Sequence, residues 1–130
     1  MPVVLQKRNL RDVAVRARRA ARRLNEVAGI LVDFGGVVRL VETRNQSKRA
    51  MSFWIHHRDW NLVERATTAL GSKIVGTFHS HVVSDPVPAE SDIRGARSGD
   101  IMIIIDSLNG EVRAWRIRGR RAFRMKHQVV

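Results

Sequence analysis

The sequence contains no cysteine. Disulfide staples, thiolate-bound zinc and a thiol nucleophile are therefore excluded. Tyrosine is absent too, and the aromatics are four Phe and three Trp. That leaves little for a surface on which successive bases could stack. No apolar run reaches the ~18 residues of a membrane span, and no signal-peptide core follows the first residues. A soluble, cytoplasmic protein with no membrane partner is the expectation. Acidic residues are few: 12 Asp and Glu stand against 24 Lys and Arg, for a net charge of +12. The chain has 130 residues, enough for one domain with its own core. Its 44% hydrophobic content argues against disorder despite the charge.

The positive charge sits at the two ends. Before residue 26, Lys7, Arg8, Arg11, Arg16, Arg18, Arg19, Arg22 and Arg23 face only Asp12. Between 113 and 126, Arg113, Arg116, Arg118, Arg120, Arg121, Arg124 and Lys126 face no acid. The body between is slightly acidic. There is no glycine-rich phosphate loop and no zinc-finger spacing, so nucleic acid is not the expected partner.

Hydrophobic periodicity supplies the organisation. Asn9 reads as an N-cap, followed by Leu10, Val13, Ala17, Ala20 or Ala21, and Leu24 at helical spacing. Val27 to Val32 and Val37 to Val41 read as strands joined by a Gly35-Gly36 turn. Met51 to His56 reads as a third strand. Asp59 reads as the cap of a second helix, with Trp60, Val63, Ala66 or Thr67, and Leu70 on one stripe and Gly71 ending it. Lys73 to Phe78 reads as a strand, and a helical turn starts near Ser91. Ile101 to Ile105 reads as a central strand, and Asn109-Gly110 as a hairpin turn before Val112 to Ile117 and Ala122 to Met125. Residues 119–130 read as a partly flexible basic tail, with His127 frayed. No repeat or linker divides the chain. The economical architecture is a single α/β domain over residues 1–130, with a mixed, mostly antiparallel sheet flanked by helices.

One stretch carries chemistry. His79 and His81 lie two apart at a strand end, so both rings can face one centre. Asp92 follows across a loop stiffened by Pro86 and Pro88. Two imidazoles and a carboxylate suit a catalytic zinc with one open position. Iron and manganese share such ligands, and strand-end histidines often only hydrogen-bond to backbone. His56 and His57 are adjacent, so on a strand they point to opposite faces and do not share a metal. Trp54 and Trp60 read as core or helix-packing residues. Asp85 and Glu90 read as solvent-facing loop groups.

The segment His79-Ser80-His81 followed by Asp92 resembles the JAMM motif of the MPN-domain metalloproteases, the JAB1/MPN/Mov34 family. Glu26-Val27-Ala28-Gly29-Ile30-Leu31 resembles the start of the family's first strand, and Asn45 sits where many members carry Asn. The resemblance spans roughly residues 10 to 118. It implies the cytidine-deaminase-like MPN fold, a zinc held by His79, His81 and Asp92, and hydrolysis of peptide or isopeptide bonds. Glu26 would be the general acid–base, though alone it reads equally as a surface group at a helix end. Ser80 would be a further catalytic residue beside the oxyanion. The implied substrate is a protein, a ubiquitin-like or sulfur-carrier protein with a Gly-Gly tail. Whether the chain works as a homodimer stays open. Two positions depart from the motif. Val82 replaces a proline, and Ala89 replaces the serine credited with stabilising the tetrahedral intermediate. The alternative is therefore a catalytically inactive, protein-binding scaffold.

Overall fold

Apolar runs bounded by glycine turns become strands, and eight strands join one sheet. The computed structural model describes residues 2–130. In chain order the elements are β1 (Val3–Leu5), α1 (Lys7–Ala21), β2 (Ala28–Phe34), β3 (Val37–Thr43), α2 (His57–Ala69), β4 (Lys73–His81), α3 (Glu90–Arg94), β5 (Ile101–Asp106), β6 (Val112–Arg118), β7 (Arg121–Met125) and β8 (His127–Val129). The sheet order is β7-β6-β5-β4-β2-β3-β1-β8. Neighbours are antiparallel except β4 with β5 and β1 with both β3 and β8. The fold is thus a single α/β domain with a mixed, mostly antiparallel, curved sheet.

The sheet carries a separate apolar cluster on each face. On one face Val13 and Ala17 of α1 pack with Leu31, Phe78, Ile103 and Ile105. The small side chains of α1 let the helix lie close to the strands. On the other face Met102, Ile104 and Ile117 pack with Ile93 and Ala96. There Trp60 of α2 borders the same cleft as Thr77 of β4 and Met102 of β5.

Strand β4 is irregular in a useful way. Leu31 pairs with Gly76 but Val32 pairs with Ile74, which leaves Val75 as an extra residue. Such a bulge resets which side chains face which way. Beyond it Phe78 and Ser80 point to the α1 side, and Thr77, His79 and His81 to the other.

Several expected elements are placed differently. Asn9 does not cap α1; the helix begins at Lys7 after Gln6. The Asn9 carboxamide instead donates to the Leu40 carbonyl at 3.0 Å and accepts from the Leu40 amide at 2.8 Å. It thereby continues along β3 the pairing that β1 makes at Val38. Leu24 lies outside the helix, with left-handed φ of 57°. Met51 to His56 is not a strand. Its one bridge pairs Asn45 with Ile55, and the Asn45 side chain occupies two of its backbone groups, donating to the Ser52 carbonyl and accepting from the Trp54 amide. His56, not Asp59, caps α2, its Nδ1 accepting from the Arg58 amide at 3.0 Å. The basic tail carries two strands, and His127 lies in β8, paired with Val3 of β1. Lys126 alone joins β7 to β8, which lie at opposite ends of the strand order, so the sheet curls until it nearly closes.

Gly76 is required at the β4–β5 seam. A Cβ there would lie 1.7 Å from the Ile101 carbonyl oxygen, a backbone atom that cannot swing aside. Gly76→Ala is expected to destabilise beyond the ~1–3 kcal/mol typical of overpacking. Gly95→Ala, whose Cβ would meet nothing nearer than 3.6 Å, is expected within ~1 kcal/mol of the parent. Urea denaturation of the two variants measures the difference.

Candidate metal centre

The site is assembled from three places. His79 and His81 end β4, where strand alternation puts them on one face. His79 lies between Ala28 of β2 and Ile104 of β5 and is completely buried. The chain then turns through Pro86, whose carbonyl accepts from Trp115 Nε1 of β6 at 3.0 Å. This anchor returns the loop to α3, which carries Asp92.

The three donor atoms converge. Nε2 of His79 lies 3.0 Å from Nε2 of His81. Asp92 Oδ2 lies 3.1 Å from the first and 3.3 Å from the second. Tetrahedral zinc with ligands at ~2.0–2.1 Å has ligand–ligand edges of roughly 3.3 Å. The triad therefore fits zinc in both donor type and spacing. It is the one such group among the described residues.

Each ring is oriented differently. His81 Nδ1 lies 2.8 Å from the Asp85 carbonyl, which can only accept, so Nδ1 carries the proton. Nε2 of the neutral ring then has its lone pair free for a metal. Ser84 Oγ lies 3.1 Å from the same Nδ1. His79 is held by stacking on Phe53, with ring centroids 4.4 Å apart and planes 20° apart. Its Nδ1 is buried and has no hydrogen-bond partner.

The electrostatics follow from burial and pairing. Burial drives the His79 pKa below its ordinary value against the pull of Asp92. Burial also opposes charge on His81, but hydrogen bonds to Asp92 and the Asp85 carbonyl outweigh it and raise that pKa. For Asp92, burial is overcome by hydrogen bonds from both histidines, and its carboxyl stays well below the usual range. Glu26 is different. Only 7% exposed, it has its pKa raised from 4.5 to about 7 by burial, moderated by His81.

Glu26, His81 and Asp92 border one cleft of about 700 Å³. Trp54 and Trp60 border it too; Trp54, expected in the core or packed on a helix, is 53% exposed. Asp85 and Glu90 are exposed, as the sequence suggests. Ser80 is not in the cleft. It faces through the sheet, and its Oγ accepts from the Val27 amide at 2.9 Å. Ala89 is the N-cap of α3, and its amide donates to Asp92 Oδ2 at 2.8 Å. The Ser-x-x-Asp spacing is thus that of a capping box. Ala89 keeps the carboxylate half and lacks the hydroxyl half.

Phe53 and the Asp85 carbonyl are site parts that sequence reasoning missed. Phe53 lay hidden in the segment read as a strand. A backbone carbonyl has no sequence signal.

Comparison with known proteins agrees with this fold. Desampylase of Pyrococcus furiosus is 35% identical over 43 residues, 33% of this chain and 31% of that protein. The match thus spans about a third of that relative's length. A protein from Desulfitobacterium hafniense, solved in solution, has the same fold with a TM-score of 0.80 at 19% identity, covering 98% of this chain and 92% of its own. A structure described as JAMM, a metalloprotease-like zinc site in the proteasome and signalosome, aligns with a TM-score of 0.63 at 16% identity, over 100% of this chain and 99% of its own. The model of the prokaryotic homologs of the JAB domain matches residues 7–118. The chain belongs to that family, the prokaryotic homologs of the JAB domain.

Proposed function

We propose that the protein is a zinc-dependent isopeptidase or peptidase of the JAMM type. One observation carries the reading: three metal-type donors meet within 3.3 Å of one another, and His81 and Asp92 among them border a cleft with a buried glutamate. His79, His81 and Asp92 would hold the ion. When bound, zinc supplies Lewis acidity toward water and toward the scissile carbonyl. Glu26 takes a proton from the attacking water and returns it to the leaving amine. A buried carboxyl bordering the same cleft as the ligands is placed to do both. Phe53 and Trp54 line the approach and limit water. The desampylase relative supports a protein substrate with a ubiquitin-like or sulfur-carrier tail joined to an amine.

Ala89 favours a second reading, a scaffold that binds partners without cutting them. A missing oxyanion donor costs ~10²–10³ in rate. The donor triad argues the other way, since a scaffold gains nothing from it.

Zinc-reconstituted protein is expected to hold close to one zinc per chain by elemental mass spectrometry, and His81→Ala and Asp92→Ala far less. Loading should fall with falling pH, because His81 keeps its proton above the ordinary range. Equal, trace metal in all three proteins would reject the metal site.

Glu26→Gln is expected to reduce cleavage of a Gly-Gly-linked fusion protein by at least ~10²-fold. In metal-free protein the folded state favours neutral Glu26, with a pKa of about 7 against 4.5 unfolded. Its contribution is present below 4.5 and lost as pH rises to about 7. Parent stability relative to Glu26→Gln should therefore fall across that window and stay level above it, in urea titrations at several pH values.

Ala89→Ser should complete the capping box and add ~0.5–2 kcal/mol of stability. It should also raise the cleavage rate. No cleavage by parent or variant under zinc-replete conditions would select the scaffold.

A further inference from the structure

Glu26 stands where no regular element holds it. Residues 22–25 before it are exposed, and Leu24 takes a left-handed turn. The paired residues of β2 begin only at Ala28. Yet a general base must be held in place to be effective. The support comes from two side chains. The Glu26–Val27 peptide group presents the Glu26 carbonyl on one side and the Val27 amide on the other. Asn45 Nδ2 donates to that carbonyl at 2.8 Å. Ser80 Oγ accepts from that amide at 2.9 Å.

Asn45 is fully engaged. Asn45 Nδ2 also donates to the Ser52 carbonyl at 2.9 Å, and Oδ1 accepts from the Ser47 and Trp54 amides at 2.9 and 3.1 Å. It thus ties the base to the loop that stacks Phe53 on His79. Ser80 is completely buried, and its own amide donates to the Val27 carbonyl at 3.0 Å. Because it is the residue between the two histidines, its backbone is also theirs.

We infer that Ser80 and Asn45 are positioning residues that clamp the Glu26–Val27 peptide and so set the Glu26 carboxylate against the histidine pair. The inference rests on the reading of Glu26 as general base. It gives Ser80 a role on the far side of the sheet from the oxyanion. It also gives a physical reason for a hydroxyl between the histidines: alanine at 80 would leave a buried amide without a partner.

The test uses zinc-loaded full-length Ser80→Ala, Ser80→Thr and Asn45→Asp. Asn45→Asp keeps both acceptances and loses both Nδ2 donations, to the Glu26 and Ser52 carbonyls. Three readouts are taken: zinc stoichiometry, Val27 amide hydrogen exchange by NMR, and kcat and KM for a Gly-Gly-linked fusion protein across pH. For Ser80→Ala the expectation is unchanged zinc, Val27 exchange at least ~10-fold faster, kcat at least ~10-fold lower and KM within ~2-fold. Ser80→Thr should restore both exchange and kcat. Asn45→Asp should lower the limiting kcat at high pH, where its added charge no longer affects the ionisation of Glu26.

Ser80→Ala with parental Val27 exchange would overturn the clamp. So would parental kcat in Ser80→Ala while Glu26→Gln is inactive. If Ser80→Ala does not fold, Asn45→Asp decides: a parental limiting kcat overturns the proposal, and a lowered one with full zinc supports it. Full activity in Glu26→Gln would instead remove the general-base reading and with it the purpose of the clamp, even with Val27 exchange altered as expected.

Discussion

A β-strand has two faces, and the last turn of β4 uses both. His79 and His81 lie on the face toward the cleft, while Ser80 looks through the sheet at the segment carrying Glu26. Everything else in the site is arranged around this alternation. The bulge at Val75 sets its phase. Gly76 lets β5 approach so that the parallel pairing continues to Asp106. A shift of one residue would exchange the two faces, burying the imidazoles against α1 and exposing the serine.

The centre is costly to fold without an ion. Two imidazoles and two carboxyls are withdrawn from water, and His79 Nδ1 finds no partner. Asp92 is stabilised only because hydrogen bonds from both histidines and the Ala89 amide outweigh its desolvation. Uncompensated polar burial of this kind is strain held for a purpose. A cation would relieve it by taking the two Nε2 lone pairs and the Asp92 charge together, so that metal binding also contributes to folding. The basic ends stand apart from this chemistry: none of the arginines of α1, β6 or β7 borders the cleft.

Local rules read well where local forces decide. The strand over Ile101 to Ile105, the Gly35-Gly36 turn and the spacing of His79, His81 and Asp92 were all visible because alternation, turn chemistry and ligand type act over a few residues. Much of the rest failed because a partner lay beyond the local window. Asn9 looks like a cap in sequence but is taken up by Leu40, 31 residues away. Met51 to His56 has a strand's residues, yet the Asn45 side chain already takes the Ser52 carbonyl and the Trp54 amide. Ser80 sits within a motif whose neighbours are ligands, and only the pleat reveals that it points elsewhere. His127 looked like tail because its partner, Val3, lies at the other end of the chain.

That last pairing has a kinetic side. Joining β1 to β8 closes a loop of nearly the whole chain, so its entropy cost falls due late, after the local hairpins have formed. Until then β1 offers an unpaired parallel edge beside β3, the kind of edge on which a second chain can template. The sheet's near closure is thus a safeguard that exists only once folding is finished. A chain still emerging from synthesis, or one that loses β8, would be open to association through the strand that the finished fold conceals.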